Sequence, residues 1–541
     1  MAIFGNMMIR PLLISSILTH AVRNNPRQQI VTALGDGSVH RYTYTDFAAR
    51  TQQLATGLRA RGLQVGDRIG TLAWNTYRHL EIYYATAGSG MICHTINPRL
   101  YLEQIAFIIN DAQDVALFYD RHFSDLVDQL RPLCPSIRYW VLLAEPAGDA
   151  SPANDDASYA GWLGTVDPDF SWPEFDENTA CGLCYTSGTT GNPKGALYSH
   201  RSTVLHAYAS CHPDAVGISH RDAIMPLVPM YHVNAWGLPY SGMVSGAKFV
   251  MPGPDLSGAG LYRLCESEGV TLSAGVPSIW QILLEYVQTH HLRFGSLRCA
   301  VIGGSACPPA MIVTLNDMDI AVRHAWGMTE VSPLGTVCTL MPEHEALPVD
   351  AQLRVAAAQG RPLFGAEFRI TDDSGRRALP HDGVTTGNLE VRGNWVIDRY
   401  YGQPATSSNG GWFATGDVAS IDANGYMRIS DRTKDVIKSG GEWISSIELE
   451  NIALEHPGVK LAACIAKPDK KWGERPILIV QRKPSATPSA ADILSIYPGR
   501  VAKWMIPDEV VFIDDMPMTA TGKLQKSVLR TLFFAPQENK P

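Results

Sequence analysis

The stretch Tyr185-Thr-Ser-Gly-Thr-Thr-Gly-Asn-Pro-Lys194-Gly195 packs three glycines (Gly188, Gly191, Gly195), four hydroxyls (Thr186, Ser187, Thr189, Thr190) and one ammonium (Lys194) into a short loop. Glycine lacks Cβ, so the backbone can turn tightly and approach a ligand closely. Its N–H groups can then converge into an anion-binding concavity. The hydroxyls can donate to phosphate oxygens or bind a hard cation. The lysine adds a point positive charge. The runs Cys181-Gly-Leu-Cys184 before it and Gly195-Ala-Leu-Tyr198 after it place the loop between two short strands. A P-loop kinase pattern is rejected, because Lys194 is followed by Gly195 and Ala196 and not by Ser or Thr opening a helix.

Outward from this loop, 541 residues predict two or more domains. Hydrophobic content of 45% and charged content of 18% describe an ordinary globular chain. A net charge of −8 argues against a broad nucleic-acid-binding face. A polyanion must then be held locally, by backbone amides, a few cations and a metal. Ten cysteines run from Cys93 to Cys464 without zinc-type spacing. Cys181 and Cys184 read as packed strand residues and the chain as reduced. No stretch reaches the ~18 apolar residues of a membrane span, and 1–17 lacks the pattern of a signal peptide.

Helix–strand alternation from Leu13 to Ser89 predicts a layered α/β arrangement. A helix is expected to start at Thr45-Asp46, and Pro146 to Trp172 reads as a surface loop. Further strands are expected at Lys248–Met251, Thr271–Val276 and Cys299–Ile302. A helix-poor region follows, with strands at Glu367–Thr371, Asn388–Arg392 and Tyr426–Ile429. From Lys434 onward the pattern becomes a small α+β domain. His290, His291 and His344 read as surface residues.

Several polar clusters accompany the glycine loop in a fixed order. They are Gly303-Gly304-Ser305, Trp326-Gly-Met-Thr-Glu330, Thr415-Gly-Asp417, Asp431-Arg432-Thr-Lys434 and Pro517-Met-Thr-Ala-Thr-Gly-Lys523. Each alone is weak, since a lone Thr-Gly-Asp is usually a turn. Together they resemble the adenylate-forming superfamily of acyl-CoA synthetases, luciferases and adenylation domains, from about Tyr42 to Lys526. The run from Pro229 to Tyr240, with Gly275–Trp280 and Cys93–Arg99, is most similar to bacterial medium-chain fatty acyl-CoA and 3-(methylthio)propanoate-CoA ligases.

The resemblance implies an α/β fold: a large N-terminal domain of layered α/β subdomains with a small β-rich subdomain (1–430), a hinge (431–434) and a mobile small α+β C-terminal domain (435–541). It implies ATP, Mg²⁺ and CoA, and a short- or medium-chain carboxylic acid joined to CoA through an acyl-AMP. Lys523, His232 and Glu330 would be catalytic, with Thr186 and Glu330 also holding the metal. ATP would be bound by Thr186, Ser187, Gly188, Thr189, Thr190, Gly191, Lys194, Gly303, Gly304, Ala325, Trp326, Thr329, Asp417, Arg432, Lys434 and Lys438. His232, Trp236, Val276, Gly327 and Pro333 would line the acyl pocket. Gly440, Gly441, Glu442, Trp443 and Glu474 would face CoA.

For His232 a core role and a gating role both stand, and Trp236 could gate the tunnel or shorten it. Glu442 and Glu474 could equally be solvated surface carboxylates. Trp326 stands where many relatives carry tyrosine, and Gly440 where some carry a lysine used in thioester formation. The expected partners are small molecules, with no nucleic acid and no membrane span. A homodimer and a cytoplasmic location complete the expectation. Transfer of the acyl group to a carrier protein, and a non-catalytic nucleotide-binding regulator, are the competing readings.

Overall fold

A computed structural model describes residues 2–3, 5–143, 158–164, 170–186, 192–405, 410–440, 442–484, 486–518 and 524–534. The chain divides into two compact units. One holds Met1–Glu367 and Arg392–Ser407, the other Phe368–Val391 and Ser408–Pro541. The expected hinge residues, Asp431 to Lys434, therefore lie inside the second unit.

The first unit is built on two sheets. The nine-stranded sheet runs in the order Arg361–Pro362, Leu334–Val337, Ala321–Gly327, Cys299–Gly303, Leu272–Gly275, Ala223–Pro226, Lys248–Met251, Gln29–Ala33 and Val39–Thr43. The six-stranded sheet runs Tyr139–Leu142, Asp114–Tyr119, Arg68–Leu72, Ile92–Thr95, Ala180–Thr186 and Lys194–Ser199. Most neighbours are parallel, and the chain returns between them through helices, as parallel pairing requires. The helix Tyr77–Gly88 is buried at every residue. A helix apolar on only one face could not be placed so. The expected α/β layering is therefore present.

Two expectations are corrected. The helix read as starting at Thr45-Asp46 begins at Tyr44, with Thr43 as its cap. Thr43 Oγ1 accepts from Asp46 N–H at 3.2 Å and Asp46 Oδ2 accepts from Thr43 N–H at 2.9 Å. Each side chain thereby satisfies an amide that the helix start would orphan. Within Pro146–Trp172, read as a surface loop, Tyr159–Trp162 forms a 3₁₀ turn, and Tyr159 and Trp162 are fully buried. Tyr159 O–H donates to the buried Glu81, which also accepts from Tyr42 O–H at 2.9 Å and from Arg50 Nε at 2.7 Å. A buried carboxylate needs such partners, and the aromatic run Ser-Tyr-Ala-Gly-Trp162 supplies one.

The second unit holds a four-stranded sheet, Ala366–Thr371, Gly387–Gly393, Phe413–Ile421 and Met427–Arg432, whose outer ends run into the first unit. It also holds a five-stranded sheet of Glu442–Ile444, Ile437–Ser439, Gly473–Arg482, Val459–Asp469 and Glu509–Ile513. The Thr415-Gly-Asp417 segment, read alone as a turn, lies inside the strand Phe413–Ile421.

All ten cysteines are free and nine are buried. Burial raises their thiols, Cys184 to about 11 and Cys181, Cys265 and Cys307 to about 12. Among the described residues no helix is long and apolar enough to cross a membrane.

Candidate active site

The glycine loop springs from an antiparallel pair, Ala180–Thr186 and Lys194–Ser199, in which Thr186 faces Lys194. The residues between, Ser187 to Gly191, lie outside the described residues, as do Gly441 and Lys523. The antiparallel register nevertheless fixes both feet of the loop and brings Thr186 beside Lys194.

Glu330 reaches this mouth through the segment Trp395–Tyr401. Ile397 N–H donates to Glu330 O at 2.9 Å, and Tyr401 N–H donates to Gly195 O at 2.7 Å. Between these main-chain stitches, Tyr400 O–H donates to Glu330 Oε1 at 2.7 Å. The Lys194 ammonium lies 5.1 Å from the centroid of the same Tyr400 ring, within cation–π range. Burial, then the charge of Glu330, raises the Tyr400 phenol above its ordinary value, so it remains a donor to Glu330. Tyr198 O–H donates to Thr329 O at 2.7 Å and ties the strand after the loop to the Thr329–Val331 turn. Thr186, Lys194, Thr329 and Glu330 are thus brought to one place. Tyr400 and Tyr198, which hold them there, were missed in the sequence.

The wall beside this mouth is made by two parallel strands in which Gly303 pairs with Ala325. A Cβ on Gly303 would meet Ala325 O at 2.7 Å and the Trp236 ring at 3.2 Å. At Gly304 (φ +80°) it would meet Val276 Cγ1 at 3.1 Å. The glycines therefore leave space that the Trp236 indole and Val276 fill. Trp236 belongs to an unusual turn: Val233, Asn234, Ala235, Trp236 and Gly237 all have left-handed φ, between 47° and 76°. His232, half-buried, stands just before it. Gly327 packs without room for a side chain against Pro333 O, 2.1 Å from a built Cβ. Ala325 and Trp326 are buried. Trp236, Val276, Gly303, Gly304 and Ala325, candidates for the acyl pocket and the adenine, therefore pack together, and His232 is adjacent in sequence to the turn that carries Trp236. His344, expected at the surface, is buried, and its Nδ1 accepts from Met341 N–H at 3.3 Å.

In the second unit, Arg432 Nε lies 2.8 Å from the buried Asp417 Oδ1, across the pairing of Phe413–Ile421 with Met427–Arg432. Lys434 is lowered from the ordinary lysine value by partial burial, with Arg432, Arg530 and Lys526 adding to it. Lys438 lies on a different strand from Asp417 and Arg432. It lies on the hairpin Ile437–Ser439/Glu442–Ile444, opposite Trp443, with its ammonium 5.5 Å from that ring. Its N–H donates to Glu474 Oε2 at 2.7 Å, and Gly440 N–H donates to Trp472 O at 2.7 Å. Lys438, Gly440, Glu442, Trp443 and Glu474 form one surface group, in which Glu474 has a structural partner and Glu442 is exposed.

The AMP-binding enzyme family model matches residues 18–401. The chain belongs to the AMP-binding enzyme family. A second model, the AMP-binding enzyme C-terminal domain, matches residues 448–523. This AMP-binding enzyme is 51% identical over 539 residues to a 3-methylmercaptopropionyl-CoA ligase of Ruegeria lacuscaerulensis, spanning 98% of each chain. It is 46% identical to a medium-chain-fatty-acid–CoA ligase of Ectopseudomonas oleovorans, spanning 97% of each. Among solved structures, ATP-bound MatB from Rhodopseudomonas palustris matches with a TM-score of 0.79 at 25% identity, over 96% of this chain and 99% of that one. The resemblance read from the motifs is borne out.

Among the described residues of this AMP-binding enzyme, no three His, Cys, Asp or Glu side chains gather as a metal cage. A lone carboxylate beside a hydroxyl suits Mg²⁺, which takes one or two protein carboxylates together with substrate phosphates and water. Glu330 and Thr186 are the residues that would supply such a donor set, linked through Lys194 and Tyr400.

Proposed function

We propose that this chain is an AMP-forming acyl-CoA ligase. The observation that carries the reading is the Lys194–Tyr400–Glu330 arrangement, which sets a phosphate-side cation and a metal-side carboxylate at one mouth. The relatives support an acid as the second substrate and CoA as acceptor.

A free carboxylate acylates poorly, because oxide would have to leave. When its oxygen attacks the α-phosphorus of ATP, pyrophosphate leaves and the acyl group gains AMP as a leaving group. The CoA thiol then attacks the acyl carbonyl, loses its proton and expels AMP. Charge crowds the attacking and leaving oxygens in the first step, so fixed donors and cations aimed there lower the barrier. The glycine loop and Lys194 would hold the β- and γ-phosphates, Thr329 the α-phosphate and Asp417 with Arg432 the ribose. Glu330 and Thr186 would hold Mg²⁺, and the chemistry it would supply is neutralisation of phosphate charge. Lys523 would meet the carboxylate and α-phosphate oxygens. Rotation of residues 435–541 about Lys434 would exchange Lys523 for the Gly440–Gly441 region, which would then line the thiol's approach. Lys438 then belongs with the CoA-facing group.

The acid is a short- or medium-chain one, 3-(methylthio)propanoate or a medium-chain fatty acid. The Trp236 indole over Gly303 and Gly304, with Val276 beside it, gives the pocket an apolar floor. The test is kcat/KM for acids from propanoate to dodecanoate, with 3-(methylthio)propanoate, each with ATP and free CoA. Acid-dependent pyrophosphate release without acyl-CoA would replace this reading with transfer to a carrier protein. No acid-dependent release at all would remove catalysis. Lys523→Ala is expected to slow adenylation by about a hundredfold or more, the scale of losing one charge-stabilising group. It should leave thioester formation from supplied acyl-AMP within about twofold of wild type. Equal loss in both steps would overturn the role of Lys523.

A further inference from the structure

Lys526 opens the helix Lys526–Phe534, yet it is buried. A cation in the first turn opposes the helix dipole, so its place there does not serve the helix. Its Nζ lies 2.7 Å from Glu450 Oε1 and donates to Ser446 Oγ. Glu450 also accepts from Cys464 N–H at 2.7 Å. The charges of Asp431 and Asp435, after that of Glu450, favour the protonated form of Lys526. Asp431 belongs to the strand Met427–Arg432, and its Oδ2 accepts from Ser446 N–H at 2.6 Å. One turn along the same helix, Arg530 pairs with Asp435. Four residues apart on this helix, Lys526 thus pairs with Glu450 and Arg530 with Asp435, the residue after Lys434.

The same helix is tied to the segment before it. Met518 and Leu524 form an antiparallel bridge, and Gln525 N–H donates to Pro517 O at 2.9 Å. Only two residues, Leu524 and Gln525, separate Lys526 from Lys523 in sequence. Asp431, joined to Lys526 through Ser446, is adjacent to Arg432, which pairs with Asp417. Asp431 and the ribose candidate Arg432 therefore share the strand Met427–Arg432, with Asp417 on its neighbour.

We propose that Lys526, held by Glu450 and linked through Ser446 to Asp431, is a positioning residue for the adenylation half-reaction, fixing the start of the helix that follows Lys523 to the strand that presents Arg432. The proposal rests on the acyl-CoA ligase reading. A lysine that merely supported the fold would serve both half-reactions equally. A positioning lysine serves the step that uses Lys523, where a misplacement of ~1 Å costs up to about a hundredfold.

The test uses the full-length enzyme and the best acid from the panel. Acid-dependent ATP–pyrophosphate exchange reads adenylation, and CoA thioester formation from synthetic acyl-AMP reads the second step. Lys526→Met/Glu450→Gln removes both charges, so neither is left buried alone. It should lower exchange kcat by about tenfold or more, with KM for ATP and the thioester step each within about twofold of wild type. Lys526→Arg should restore exchange. Asp431→Asn keeps an acceptor for Ser446 N–H and removes only the charge; it should show the same split more weakly, and it decides the matter if the double variant does not fold. Equal loss in both steps, or unchanged exchange in a variant that melts like wild type, overturns the positioning role alone. Wild-type enzyme lacking acid-dependent exchange overturns the acyl-CoA ligase reading, and the proposal with it.

Discussion

Tyr400 shows how one hydroxyl can tune a site it does not line in sequence. It is 70 residues from Glu330, and its O–H holds one oxygen of that carboxylate at 2.7 Å. A hydrogen bond to a charged group contributes about 1.5–3 kcal/mol. Tyr400→Phe keeps the ring beneath Lys194 and removes only that bond. Adenylation should fall about tenfold, since 1.4 kcal/mol is tenfold, with a higher Mg²⁺ concentration needed for half-maximal rate. Pyrophosphate exchange across a Mg²⁺ titration checks it, and an unchanged titration would refute the role. The glycines, hydroxyls and Lys194 of the loop were legible because their chemistry sits in consecutive residues. Tyr400 was not, because it is set beside Glu330 by two main-chain stitches, Ile397 to Glu330 and Tyr401 to Gly195, that no local pattern announces. Glu474 was legible as a carboxylate but not as the acceptor for Lys438 N–H, which only the hairpin register reveals.

At the scale of elements, the turn Val233–Gly237 departs furthest from what its residues prefer. Val, Ala and Trp avoid left-handed φ, at about 1–2 kcal/mol each, so the surrounding packing must impose it. Gly237 closes the turn at φ 76°, and a Cβ there would lie 2.7 Å from the His206 ring. That ring's Nε2 accepts from Leu334 N–H at 3.1 Å. Gly237→Ala should therefore cost roughly 2–5 kcal/mol, from left-handed strain and overpacking. Urea unfolding measures it, and a loss below ~1 kcal/mol would show that His206 moves freely. The turn was hidden in the sequence because Val, Ala and Trp carry no left-handed signal. Phe413–Ile421 was obscured for the opposite reason. Its Gly416 is at φ 75° and suggests a turn, yet the strand continues through it with a register shift at Val418–Ala419. The strands flanking the glycine loop were legible because small and apolar residues run unbroken on both sides.

For the molecule as a whole, layering and two-part organisation were legible from helix–strand alternation and a later loss of helix. The partition of the small sheet with the C-terminal residues was not, since it depends on contacts such as Asp431–Ser446 between distant segments. Proton balance is another property of the whole chain. Burial holds His324 near 4, with Nε2 accepting from Cys307 N–H at 3.2 Å and Nδ1 3.0 Å from Ala357 O. Unfolding returns it to its ordinary value of 6.5, so between these values the unfolded chain binds one more proton there. His324 thus contributes stability that is present above pH 6.5 and lost as pH falls toward 4. His324→Gln, which can keep both contacts, should reduce the slope of unfolding free energy against pH by about 1.4 kcal/mol per pH unit inside that window. Chemical denaturation at several pH values checks it, and an unchanged slope would refute it. The ten free cysteines carry a last consequence. With nine of them sealed in the interior and several thiols held near 11 to 12, the native molecule presents almost no thiolate to an alkylating reagent. Opening the chain exposes them, so the extent of labelling counts open molecules and makes the protein its own gauge of conformational survival.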